Sequence, residues 1–169
     1  LEQGQSSLIL TPEIGLSSQI HLELQQHFPE VIFWHSRLSP AKQAKIWIQL
    51  INSNKPSVIV GPRSILFTPL SRIGLIVLDE FHDQAYLQQT SPAYSGLTMA
   101  SFLARQHKAK LILASATPDA TTYYQFQESL KPIISMPNKV KADLKPAQMS
   151  VIDLQKAARA KGKTWLSQE

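Results

Sequence analysis

The sequence predicts an α/β domain in which helices flank a parallel sheet. Short apolar runs at 7–10, 31–34, 57–60, 75–78 and 110–114 are continuous rather than alternating, as expected for strands covered on both faces. Helical patterns lie between them, giving the strand–helix rhythm of right-handed crossovers. Polar clusters directly follow four of the five runs, at the strand ends where such sheets gather their sites.

The first run, Ser7-Leu8-Ile9-Leu10, leads into Thr11-Pro12-Glu13-Ile14-Gly15. A helix is expected over 16–28, because Leu16, Ile20, Leu24 and Phe28 recur four apart and share a face. Val31-Ile32-Phe33-Trp34 is the second strand. Ser39 suits an N-cap and Pro40 a first helical residue; Ala44, Trp47, Ile48 and Ile51 then form an apolar stripe. The third strand, 57–60, ends at Gly61-Pro62-Arg63-Ser64, and the fourth, 75–78, at Asp79-Glu80-Phe81-His82-Asp83. A third helix covers 97–107. The fifth strand, 110–114, ends at Ser115-Ala116-Thr117-Pro118, and Asp119 caps a fourth helix reaching 130. The main domain therefore covers 1–131. Pro132, Pro137 and Pro146, with Lys and Asn between them, mark a C-terminal linker over 132–163. One short strand is expected in it at 151–154, and Thr164 opens a helix that begins a next domain at 164–169.

Composition excludes several classes. The 169 residues are 43% hydrophobic, enough for a core and too much for a disordered chain. No apolar run approaches the roughly 18 residues of a membrane span. There is no Cys, so no disulfide framework and no Cys-based zinc site, which fits a reducing cytosol. The five His show no metal-ligand spacing, and no Gly-x-Ser-x-Gly elbow is present. Trp34, Trp47 and Trp165 read as core fillers. The first residue is Leu1 and no leader follows it, so the chain is expected to be a piece of a longer protein. The net charge is +5, and residues 131–169 hold the excess, with eight basic and three acidic side chains. That tail reads either as a phosphate-binding segment or as a solvated connector.

The chemistry concentrates after the fourth strand. Leu75-Ile76-Val77-Leu78-Asp79-Glu80 is a Walker-B-type element. The strand stiffens Asp79, which can hold Mg²⁺ through water because this ion prefers hard oxygen ligands and keeps much of its hydration. Glu80 is placed to orient or deprotonate a water in phosphoryl transfer, and His82 to relay the nucleotide state. The bland alternative is an acidic surface turn. Ser115 and Thr117 can hydrogen-bond His82 or Glu80 across the strand ends, or form a plain capping turn. Thr11, Pro12, Glu13, Arg63 and Ser64 suit contacts along a nucleic-acid backbone. Arg63 has the fork that matches a phosphate; the alternative is an Arg that caps a carbonyl or pairs with an acid. Gly162-Lys163-Thr164 imitates the end of a phosphate loop, but Ala157 stands where its first Gly belongs.

In this order, these elements resemble the first motor domain of DExH-type superfamily 2 helicases. With His35-Ser36-Arg37-Leu38, Gly61-Pro62-Arg63-Ser64-Ile65-Leu66-Phe67-Thr68-Pro69, Tyr86-Leu87-Gln88-Gln89 and Ser115-Ala116-Thr117-Pro118, the chain is similar to the bacterial primosomal replication-restart helicases. The resemblance implies a RecA-like fold, here a truncated P-loop motor domain whose phosphate loop precedes Leu1. It implies ATP and Mg²⁺ as cofactors, with no zinc in this stretch. It also implies 3′-to-5′ movement on single-stranded and forked DNA, primosome proteins as partners, no membrane and a bacterial cytoplasmic location. Asp79, Glu80 and His82 would be catalytic, and Ser115 and Thr117 would couple. Tyr86 and Tyr94 would be the aromatics of a DNA-sensing loop over 83–95. Phe81, Pro62 and Leu87 stand where the family usually has Glu, Thr and Lys, and the loop closes on Tyr94-Ser95-Gly96-Leu97-Thr98 rather than Tyr-His-Ala-Arg-Asp. From a different class, the alternative is a non-catalytic nucleic-acid-binding or protein-interaction module that keeps the fold.

Overall fold

In the computed structural model, which describes residues 4–28, 30–53 and 55–137, each of the five apolar runs of the main domain becomes a strand. In chain order the elements are β1 (Ser6–Leu10), α1 (Ile14–Gln25), β2 (Val31–Phe33), α2 (Pro40–Asn52), β3 (Val58–Gly61) and β4 (Ile73–Leu78), followed by β5 (Leu87–Gln88), β6 (Tyr94–Ser95), α3 (Gly96–His107), β7 (Lys110–Leu113) and α4 (Ala120–Glu128). Short 3₁₀ turns at Arg63–Phe67 and Gln84–Tyr86 complete the path. Five strands form one parallel sheet in the order β2-β3-β1-β4-β7, and β5 pairs antiparallel with β6 as a separate hairpin.

β1 lies in the middle, where Leu8 pairs with Ile59 on one side and Ile76 on the other. Leu8, Leu10, Ile59, Ile76 and Leu78 are wholly buried, as a parallel sheet between helix layers requires. Each such side chain contributes roughly 1.5–3 kcal/mol by leaving water. α3 lays Ala100 and Ala104 against this core, and small residues there let it approach β4 closely.

The helix starts follow their caps. Ser39 accepts from the Lys42 amide with Pro40 just inside α2, Ser95 accepts from Thr98, and Asp119 accepts from Thr122. Four details depart from the sequence reading. α1 begins at Ile14 and ends at Gln25, so its last expected turn is not helical. α4 stops at Glu128, short of Leu130, whose φ of 50° is left-handed. β4 begins at Ile73, two residues before its expected start, and runs through Gly74. Gly74 is suited to its place because the Gln5 side chain fills the space a Cβ would take. Finally, β7 is not covered on both faces. It is the outermost strand of the sheet, and Ile112 is 49% exposed.

The chain divides after Lys131, with Leu1–Lys131 as one unit and Pro132 opening the other. Residues 132–137 have no regular structure. The strand expected at 151–154, the helix start at Thr164 and the Gly162-Lys163-Thr164 tripeptide lie outside the described residues. Among the described residues, no helix is long and apolar enough to cross a membrane.

Candidate functional site

The site grows out of the end of β4. The ladder continues one residue past the strand, where the Asp79 amide donates to Leu10 O at 2.9 Å. One Asp79 carboxylate oxygen accepts the Glu80 amide at 3.1 Å. Glu80 then adopts φ 45°, a left-handed conformation that costs an L-residue roughly 1–2 kcal/mol. The reversal sends the next two side chains in different directions. Phe81 drops into the core, with its amide on Ala114 O at 3.1 Å. His82 points to the end of β7.

There the imidazole is held at both nitrogens. Nδ1 lies 2.7 Å from Ser115 Oγ and Nε2 3.2 Å from Thr117 Oγ1. Ser115 Oγ also accepts the Thr117 amide at 3.0 Å. The ring is thus fixed between the two hydroxyls that follow β7. Glu80 Oε2 lies 3.5 Å from the same Nδ1 and is a buried oxygen with no hydrogen bond of its own. The rest of the Glu80 side chain is partly exposed.

An open cleft of about 350 Å³ brings three strand ends together. Pro12 and Glu13 come from the turn after β1, Glu80, His82 and Asp83 from the turn after β4, and Ala116 and Thr117 from the turn after β7. A helicase family model, DEAD/DEAH box helicase, matches residues 1–126.

The chain belongs to the DEAD/DEAH box helicase family.

Several relatives share one name. The replication restart protein PriA of Helicobacter pylori is 37% identical over 153 residues, covering 90% of this chain and 24% of that protein. PriA of a Synechocystis species is 39% identical over 126 residues, covering 73% of this chain and 15% of that protein. PriA of Bacillus subtilis is 29% identical over 170 residues, covering 100% of this chain and 21% of that protein. The chain thus spans a quarter or less of the length of the relatives it matches.

Carboxylates at a strand end need no metal cage to hold Mg²⁺. Mg²⁺ binds through one or two carboxylates, with water and phosphate completing its shell. Among the described residues no group of three or more His, Cys, Asp or Glu could hold a metal. Asp79 fits the lighter arrangement, because only one of its carboxylate oxygens is engaged.

Three of the residues expected on a DNA path have their polar groups engaged within the protein. Thr11 is wholly buried, with its hydroxyl bonded to Ser17 Oγ and to Glu13 O. Tyr86 is 2% exposed and donates its hydroxyl to the Asp79 carbonyl at 2.7 Å. Burial first, and the Asp79 charge second, raise its pKa, so it stays a phenol and a donor. Arg63 spends its guanidinium on the hairpin, on Ala85 O, Leu87 O and Gln88 Oε1. Ser64 is exposed and Tyr94 half-buried. Sequence reasoning missed Asp83 as a lining residue, although it directly follows His82. It also missed Phe67, which meets Tyr94 edge-on at 5.2 Å; no spacing rule links those two.

Proposed function

We propose that the chain is the acid-motif half of the first motor domain of a bacterial replication-restart DNA helicase. The whole protein would couple ATP hydrolysis to 3′-to-5′ movement along single-stranded DNA, acting on forks with primosome proteins in the cytoplasm. What supports this reading above all is the imidazole of His82, bonded at both nitrogens to the hydroxyls after β7 while facing the Glu80 carboxylate. A change of charge at Glu80 therefore reaches a second strand end through one rigid ring.

Each residue has a distinct task in it. Asp79 would anchor Mg²⁺, and Glu80 would orient the attacking water and take its proton. His82 with Ser115 and Thr117 would pass the state of the acid pair to the rest of the domain. The ion neutralises charge on the phosphates when bound. Pro12, Glu13, Ser64 and Tyr94 would lie along the strand path. The sequence holds no complete Gly-x-x-x-x-Gly-Lys-Ser/Thr run, so the 169 residues alone should bind ATP weakly and hydrolyse none. Turnover by this chain above that of its Glu80→Ala variant would refute that.

The acid pair is tested in the full-length protein. Glu80→Gln keeps size and hydrogen bonding but removes the base, so ATP should bind while turnover falls roughly 10²–10⁴-fold. Asp79→Asn should instead move the Mg²⁺ requirement to higher concentration and weaken nucleotide affinity. Nucleotide affinity and single-turnover hydrolysis across a Mg²⁺ titration separate the two. Parental turnover by Glu80→Gln would replace the motor with a binding module of the same fold.

A further inference from the structure

Two loops meet at Arg63. The residue opens the 3₁₀ turn after β3, yet its guanidinium ends inside the hairpin that follows the acidic motif. Nη1 donates to the carbonyl oxygens of Ala85 and Leu87, the latter at 3.0 Å, and Nη2 to Gln88 Oε1. On the other strand of the hairpin, Tyr94 lies with its ring centroid 5.9 Å from the Arg63 Cζ. Phe67, from Arg63's own turn, braces the same ring from the edge. One side chain therefore grips both strands. The grip matters because strands of two residues each cannot hold a hairpin by themselves.

The start of the same segment is fastened to the acids. Tyr86 donates to the Asp79 carbonyl, which belongs to the peptide joining Asp79 to Glu80. The Asp83 amide donates to Glu80 O at 2.8 Å. Gly96 closes the segment against Tyr86, where a Cβ would stand 3.2 Å from its carbonyl oxygen. The hairpin is thus tied to Arg63 on one side and, through Tyr86, to the backbone that carries Glu80 in its left-handed turn.

We propose that Arg63 is a positioning residue for the Asp79–Glu80 pair, acting through the hairpin and Tyr86, and not a ligand of nucleic-acid phosphate. The proposal rests on the reading of that pair as the ATP-hydrolysis acids. Lys cannot replace Arg63 here. A single ammonium lacks the planar fork that spans Ala85, Leu87 and Gln88 and lies against Tyr94 at once.

The test uses the full-length protein with Arg63→Ala, Arg63→Lys, Tyr86→Phe and the Arg63→Ala/Tyr86→Phe double variant. In Arg63→Ala, amides of 84–95 should exchange with solvent at least about tenfold faster, while those of β1 and β3 keep their protection. The log–log salt slope of single-strand DNA binding should stay parental. ATP turnover should fall roughly 10–100-fold with the KM for ATP unchanged, as for a misplaced catalytic group. Tyr86→Phe should lose a similar factor, and the double variant no more than the worse single one, because both act on one element. Arg63→Lys should exchange like Arg63→Ala. Parental exchange over 84–95 together with a salt slope lower by about one would overturn the proposal and make Arg63 a phosphate ligand. Independent, multiplying losses in the double variant would also overturn it. If the parental protein shows no hydrolysis that Glu80→Gln abolishes, the motor reading fails. Exchange and salt slope would still decide what Arg63 does.

Discussion

β4 and β7 lie side by side in the sheet, yet they are held very differently. Ile76 and Leu78 of β4 are wholly buried between helix layers, whereas Ile112 of β7 is half in solvent and α4 beyond it has no fully buried side chain. The candidate site draws on both. Its carboxylates come from the end of the well-packed strand, its hydroxyls from the end of the loosely packed one, and His82 joins them. Strand ends with little buried apolar contact open at lower free energy. The acids therefore keep their geometry, while Ser115 and Thr117 are the side of the site that can shift at low energetic cost.

The comparison breaks if the two strands prove equally important to stability. Ile76→Ala should destabilise the 169-residue chain by about 2–5 kcal/mol, as deletion of a fully buried branched side chain does. Ile112→Ala should cost about 0.5 kcal/mol, in the range of surface changes. Urea denaturation of the two variants gives both numbers, and equal losses would mean that β7 is as firmly held as β4.

A second prediction sharpens the stiff side. Glu80 has φ 45° and an unpaired buried oxygen, so its conformation is held against its own preference. Glu80→Gly removes the steric penalty, partly offset by the greater freedom of glycine in the unfolded chain. The variant should be more stable by up to about 1 kcal/mol and, in the full-length protein, without turnover. A loss of stability on making it would show that the left-handed turn is not strained.

How much of this was legible in the sequence depends on what each residue touches. Leu8-Ile9-Leu10 and Leu75-Ile76-Val77-Leu78 announce buried strands because burial on both faces leaves no room for polar residues. Ser39 and Asp119 announce helix starts because their caps bond amides three residues on. The parallel α/β fold and the His82–Ser115–Thr117 grouping followed from order along the chain. Tyr86 and Thr11 did not yield to such reasoning, since each is a buried hydroxyl bonded within the protein, Tyr86 to the Asp79 carbonyl and Thr11 to Glu13 O and Ser17 Oγ. The hairpin was missed because two-residue strands carry no period. Arg63 had the right chemistry for phosphate, and only the path of 84–95 shows that carbonyls occupy its fork.

The smallest expected effect lies on the soft side. The Asp119 carboxyl is held below its usual range by hydrogen bonds from Thr122, backbone amide first. A depressed folded pKa contributes stability above the unfolded value and loses it as pH falls through the folded one. Between about pH 5 and pH 2, amide protection in α4 should therefore fall earlier than in β1. In Asp119→Asn, which keeps a cap but cannot titrate, that difference should flatten. A parental profile in Asp119→Asn would place the acid sensitivity elsewhere.

The place of β1 in the sheet also dictates an order of assembly during synthesis. The strand is made before both of the neighbours it pairs with, so Ser7 must wait for Val58 on one edge and Leu75 on the other. Until then Leu8-Ile9-Leu10 leaves the ribosome as an apolar strand with two unsatisfied edges, the kind of segment that seeds aggregation and folds slowly. Pro12, directly beyond it, cannot donate to a ladder and stops the exposed strand from growing. Val58 is synthesised before Leu75, so the β3 edge is the first that can close. The acidic turn takes its shape only once β4 has docked, and His82 meets its hydroxyl partners only when β7 pairs beside it.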